Sequence, residues 1–178
     1  MMRRVCSVLI LMQLVACAQA QPIPLQRAVF RDLSAQIASQ TNVTADRLAG
    51  NWVVRQRFAN QPGPVGGVTF STLPNDALQM AQTHQTCDLN VCVIVHTQVL
   101  LKPMGLGRWM PLNSPMTFPS QQIWVMWMDF ESRTAAIGSP SGQFGWIMDK
   151  NPTGGDDRII AARDIMDWFG YDVANLQE

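Results

Sequence analysis

The side chains of this chain that can do chemistry are few. Cys87 and Cys92 stand in "CDLNVC", separated by Asp88, Leu89, Asn90 and Val91, between two strand-like runs. A bridge between them staples a hairpin. A redox pair is disfavoured, because the spacing is not Cys-x-x-Cys and no helix follows. His84 and His96 flank the same loop and can approach across it, but two histidines by themselves make a poor zinc site. Ser139-Pro140-Ser141-Gly142 reads as a turn, and there is no Gly-x-Ser-x-Gly, phosphate loop or nucleotide fingerprint. Asp156 and Asp157 are better explained as the start of a helix than as an acid–base pair. No catalytic residue, metal or cofactor is expected, and the chain reads as a non-enzyme.

Another cysteine has a different chemistry. "MMRRVCSVLILMQLVACAQAQ" has a basic start, an apolar run from Val5 to Leu11 and a small-residue exit. That is a secretory signal, too short to span a membrane. Within the exit, Leu14-Val15-Ala16-Cys17 resembles the lipobox of bacterial lipoproteins. The resemblance implies removal of residues 1–16 and acylation of Cys17 by palmitate-like chains, each buried methylene adding roughly 0.8 kcal/mol of membrane affinity. Ala18 follows Cys17, not the aspartate that retains such proteins in the inner membrane. That implies an outer-membrane lipoprotein facing the periplasm. Cleavage after Ala18-Gln19-Ala20 is the competing reading and leaves a soluble periplasmic protein. In either compartment a Cys87–Cys92 disulfide persists.

The 178 residues carry a formal net charge of zero, so nothing points to nucleic acid. Only 15% are charged, while tryptophan (six) and methionine (eleven) are plentiful. That bias suits a protein with more internal apolar surface than a small core requires, or a core whose irregular gaps methionine fills.

Residues 22–48 start with Pro22 and Pro24 and then place Leu25, Val29, Phe30, Leu33 and Ile37 at helical spacing, which predicts an amphipathic helix. From residue 51 the pattern changes to short strand-like runs at 51–59, 66–73, 77–86, 91–101, 107–112, 122–130, 134–138 and 143–149. Turn-forming clusters such as "NQPGPVGG", "LPND" and "GSPSG" separate them. Eight runs joined by hairpin-length loops predict an antiparallel sandwich or up-and-down barrel. "GGDDRIIAARDIMDWFGYDV" then changes period. Asp156 or Asp157 caps a helix whose stripe is Ile159, Ala162, Ile165, Met166 and Phe169, and Gly170 stops it. "IWVMWMDF", Ile123–Phe130, is apolar on both faces, so both need cover. An inner cavity or a packed core satisfies that equally well.

Three stretches in this order resemble the lipocalins, in particular the bacterial outer-membrane lipocalin and apolipoprotein D-like group. They are "GNW" at the first strand, "WVMWMDFESRTAAIGSP" as the penultimate hairpin, and "FGWIMDKNP" followed by the helix and "GYDV". The likeness covers roughly residues 48–175. It implies an all-β, eight-stranded antiparallel up-and-down lipocalin barrel with a C-terminal amphipathic helix, here behind an N-terminal helical extension. The domain reading is 1–16 signal, 17–47 lipidated cysteine and tether, and 48–178 barrel. In the family an arginine covers the Gly-x-Trp indole at the closed end, and this chain offers Lys150 to Trp52 instead. Further departures are short, diverged middle strands, which suggest a smaller or irregular barrel, a longer leading extension and almost no closing segment after Leu176.

The resemblance also implies a binding cup. If Trp52 points inward, so do Val54, Gln56 and Phe58; if Lys150 meets Trp52, then Phe144, Trp146 and Met148 share its face. On strand 122–130 either Trp124 with Met126 or Val125 with Trp127 faces inward. The ligand-binding candidates are therefore Phe58, Trp124, Met126, Trp127, Phe144, Trp146 and Met148. The expected ligand is a hydrophobic small molecule or lipid, such as a fatty acid or lysophospholipid, bound, stored or transported in the bacterial envelope. An interaction or inhibitor lipoprotein with a packed barrel is the alternative, and a lipocalin-type enzyme ranks below it.

Overall fold

The computed structural model describes residues 28–59, 61, 63–88, 91–112, 118 and 121–178; the signal sequence and Cys17 lie outside them. Eight strands follow in chain order: β1 (Gly50–Phe58), β2 (Gly67–Thr72), β3 (Leu78–Asp88), β4 (Val91–Pro103), β5 (Arg108–Leu112), β6 (Ile123–Met128), β7 (Thr134–Gly138) and β8 (Gly145–Asp149). Each pairs antiparallel with the next, and β1 pairs with both β2 and β8, so the sheet closes on itself. Closure removes both exposed edges. A two-residue strand, β9 (Leu176–Gln177), adds onto the end of β1.

Alternation gives the barrel two apolar surfaces. The inner one joins Trp52, Phe70, Met80, Leu101, Trp109, Val125, Trp146 and Met148, among others, in one buried cluster. The outer one joins Phe58, Met126, Ala136 and Ile147 to Ile159, Ala162 and Met166 of α2 (Asp156–Trp168). The helix therefore lies across β6, β7 and β8 on the outside, apolar stripe inward. Its N-cap is Gly155 in the left-handed region, and Asp156 and Asp157 sit in the first turn, where their charge suits the helix dipole without capping it. Beneath the helix start, the fully buried Asp149 accepts from Arg158 at 3.0 Å and from Asn151 N at 2.8 Å, tying β8 to α2.

The leading segment is not the expected helix. Residues 28–44 run as an extended strap on the outside, followed by one helical turn, α1 (Ala45–Leu48). Apart from a turn in which Ala35 N donates to Asp32 O at 3.2 Å, the strap's backbone groups bond to other segments. Phe30 N donates to Gly142 O at 2.7 Å, Asp32 N to Gly170 O at 2.8 Å, and Gln40 N to Val125 O at 2.9 Å. Arg31 anchors the strap by donating to Phe169 O at 3.0 Å and Pro140 O at 3.0 Å. Phe30 and Ile37, which suggested a helical stripe, pack into the outer cluster, while Val29 and Leu33 are exposed.

Tyr171, the only tyrosine of the chain, locks this outer layer. Its buried hydroxyl accepts from Ser139 N at 2.9 Å, and its proton lies between Ser139 O and Phe144 O, each at 3.1 Å. Any side chain at Gly138 would strike the hydroxyl and any at Gly145 the ring, which explains both glycines. Burial pushes the phenol up to about 12. A folded-state value above the unfolded one of about 10 gives stability that is complete below pH 10 and lost as pH rises through about 12; a gap of that size is worth about 2–3 kcal/mol. Tyrosinate absorbance near 295 nm, with no second tyrosine to overlap it, should titrate near 12 and coincide with alkaline unfolding. Titration near 10 in the folded protein would contradict this packing.

Candidate ligand-binding site

The barrel is closed at the end where β1 begins. α1 lies across that end, and Val43, Ala45 and Leu48 plug it from below. The turn is held in place by Ala45 N, which donates to Asp76 Oδ1 at 2.8 Å, and by Arg47, which donates to Asp129 O at 2.9 Å and Ser132 Oγ at 3.0 Å. It is thus stitched to the β2–β3 and β6–β7 turns. A helix this short leaves its last carbonyls without partners. The Trp52 indole N–H takes Leu48 O at 2.7 Å, and Lys150 Nζ takes Ala49 O at 2.8 Å. Lys150 Nζ also stands 3.7 Å from the centroid of the Trp52 ring.

Gly50 makes the arrangement possible. Its φ is +106°, and a Cβ there would come within 2.9 Å of Lys150 Nζ. The Gly-Asn-Trp triplet therefore starts β1 with a residue that lets the amine pass and an indole that the amine covers. Burial depresses the Lys150 pKa, the cost of placing the ammonium over an apolar floor.

Above this floor the inner wall rises through Met148 and Trp146 on β8 and Phe144 just before it, all buried in the inner cluster. The other proposed lining residues go elsewhere. Phe58 belongs to the outer cluster, stacked 4.8 Å from Phe30, and Gln56 accepts from Arg163 of α2 at 2.8 Å. The cause is a β-bulge: the β1–β8 register skips between Val54 and Gln56, so Arg55 is an extra residue and the faces exchange beyond it. A second bulge, between Val125 and Trp127, acts the same way on β6. Ile123, Val125 and Met128 face inward, and Met126 and Trp127 join the outer cluster. Trp124 alternates out between Ile123 and Val125 and stacks with Arg108, 5.2 Å from guanidinium carbon to ring centroid. Neither expected pairing on this strand holds.

The far end, the mouth, carries the polar features that sequence reasoning missed. Phe118 reaches between the walls: its ring packs edge-on to Phe144 and Trp146 at 4.7 Å and 5.6 Å, and its carbonyl accepts from Gln82 Nε2 at 2.7 Å. Gln82 and Thr97 oppose each other on β3 and β4, yet Gln82 Oε1 and Thr97 Oγ1 are buried without partners. Arg57, beyond the β1 bulge, faces Trp146 in the ladder. Burial lowers its pKa, and among the described residues it donates only to carbonyls, Gln61 O at 2.7 Å and Pro64 O at 3.1 Å.

β3 and β4 run past their neighbours as a ribbon. β2 pairs β3 only as far as Gln82, whereas the β3–β4 ladder continues to Asp88 and Val91, with Val91, Val93 and Ile94 exposed. Cys87 and Cys92 are direct ladder partners. His96 lies opposite Thr83, and His84 opposite Val95. Among the described residues no group of three or more His, Cys, Asp or Glu could hold a metal ion, and no helix is long and apolar enough to cross a membrane.

No family model and no curated protein matches the sequence. A solved structure, the major allergen Per a 4 from cockroaches, superposes with a TM-score of 0.59 over 82% of this chain and 94% of that one, at 11% identity. The fold is lipocalin-like. At that identity the likeness speaks for the architecture alone, an eight-stranded antiparallel barrel closed at one end.

The closed end yields a direct test. Lys150→Met removes the cation over the indole and leaves Ala49 O without its donor, and should cost about 1–2 kcal/mol in urea unfolding. Lys150→Arg, which keeps both interactions, should unfold at nearly the wild-type midpoint. Equal stability of all three proteins would show that the pair does not seal the barrel.

Proposed function

We propose that this chain binds, stores or carries a lipid-like hydrophobic molecule, a fatty acid, lysophospholipid or similar, in a bacterial envelope. The observation that supports binding is the apolar inner wall of a barrel closed at one end, with Phe144, Trp146 and Met148 rising from the Trp52–Lys150 floor. In this reading the chain is a binder and not a catalyst.

The location rests on sequence. The Leu14–Cys17 lipobox supports an acyl anchor in the outer membrane, with the barrel facing the periplasm. Export also supports a Cys87–Cys92 disulfide. In a hairpin closed by two residues the closing pair, here Asp88 and Val91, is hydrogen-bonded and the next pair is not. Pairs of the second kind bring Cα atoms to about 4.5 Å, within the span of a disulfide.

A second reading has its own support. Phe118 fills space between the walls, and the β3–β4 ribbon exposes Val91, Val93 and Ile94, as suits a packed barrel that docks on another envelope component.

One titration separates the two. A fluorescent fatty acid should bind saturably at about one molecule per chain and be displaced by unlabelled lipid; a linear, non-saturating signal would favour the packed barrel. The anchor is tested separately. Cys17→Ala should move the protein from the membrane to the soluble fraction, and a variant still sedimenting with membranes would refute the lipobox.

A further inference from the structure

Near the mouth two buried donors, Trp146 Nε1 and Gln61 Nε2, have no acceptor, and the half-buried Arg57 beside them donates to two carbonyls only. Arg57 is the direct ladder partner of Trp146, so their side chains share the inner face with Cβ atoms about 5 Å apart. Trp146 is fully buried, and its indole N–H has no acceptor. Gln61, 4% exposed, turns its carboxamide oxygen to Gly145 N at 2.9 Å and leaves its amide nitrogen unpaired. Gln61 and Arg57 are joined by the 2.7 Å hydrogen bond to Gln61 O.

The charge is as unbalanced as the hydrogen bonding. Among the described residues every ion pair belongs to Arg133 or Arg158, so Arg57 has no carboxylate partner. Its two carbonyl contacts use two of the guanidinium's five N–H groups. An unpaired buried donor and a half-buried cation without a counter-ion each destabilise the empty protein. Two neutral N–H donors beside a cation without a counter-ion suit an oxyanion as their acceptor.

We propose that Arg57, Trp146 and Gln61 form the head-group site for an anionic amphiphile, whose carboxylate or phosphate they receive while its tail lies against the apolar wall around Met148 and Met80. The proposal rests on the barrel being a ligand cup and specifies what enters it. The planar fork of Arg57 suits either head, since carboxylate and phosphate both accept two parallel N–H bonds. Neutral lipids of equal length lose this interaction, and cationic ones are repelled.

The test is calorimetric titration of the exported, disulfide-competent protein with dodecanoate, dodecyl phosphate, dodecanol and dodecyltrimethylammonium, each below its micellar concentration. One or both anions should bind about tenfold or more tightly than dodecanol, a preference corresponding to about 1.4 kcal/mol, with the cation weakest. Whichever anion leads names the head group. Arg57→Met should abolish the preference of the anions over dodecanol. Trp146→Phe, which removes the donor and keeps an aromatic ring, should reduce the preference by about threefold or more, and covers the case in which Arg57→Met fails to fold. Dodecanol or the cation binding as tightly as the anions would overturn the proposal while leaving the cup intact. An unchanged preference in either folded variant would overturn it as well. Failure of all four probes to bind would overturn the ligand-cup reading beneath it.

Discussion

The architecture depends on one contact, the Lys150 ammonium over the Trp52 indole. A closed antiparallel sheet is a tube, and a tube becomes a cup only when one end is sealed against water. Here the seal is a single helical turn whose final carbonyls need donors, and the tryptophan and lysine supply them. Everything around the contact accommodates it. Gly50 adopts a φ that most residues avoid, Arg47 and Asp76 hold the turn in place, and the strap brings Val43 beneath the floor. An ammonium makes a compact seal but meets the indole as a point charge, without the second plane an arginine would stack on it.

The opposite end is built on another principle. Its walls are apolar, but they carry donors and acceptors without partners, and Phe118 projects among them. A packed core with no ligand gains from replacing such groups by hydrocarbon, because each one costs free energy when buried unpaired. Their concentration on the inner wall near the mouth, above an apolar floor, sets the two ends in different roles. At the closed end the carbonyls of the sealing turn are satisfied within the chain, whereas Gln61, Gln82, Thr97 and Trp146 keep unpaired polar atoms.

Much of this was legible in the sequence. The eight strand-like runs lie within a few residues of β1–β8, and the stripe Ile159, Ala162, Met166 marks the face that α2 turns to the sheet. The Gly50, Trp52 and Lys150 constellation could be named because the resemblance to the lipocalins implies a cation over the Gly-x-Trp indole, and Lys150 stands where that cation belongs. The errors have two physical sources. Alternation from Trp52 put Phe58 inside, and alternation along Ile123–Phe130 offered two inward sets, but a bulge on each strand exchanged the faces midway. Nothing in "VVRQRF" or "VMWMDF" marks the extra residue. The strap failed for a different reason. Its 3–4 spacing of apolar residues was real, yet its backbone found partners on Gly142, Gly170 and Val125, and tertiary hydrogen bonds outweighed a weak local preference. Arg57 went unnoticed because an arginine inside a polar-looking strand reads as solvent-facing until the bulge is known.

We propose that the sealed barrel is a cup that carries a ligand. Native mass spectrometry of the protein, purified gently from its own membranes and compared with the same sample after denaturation, tests it most directly. The prediction is an excess mass of one lipid-sized molecule per chain that disappears on denaturation and is recovered in the organic extract. A native mass equal to the denatured mass, from protein that also takes up no lipid when incubated with a total membrane extract, would contradict the claim.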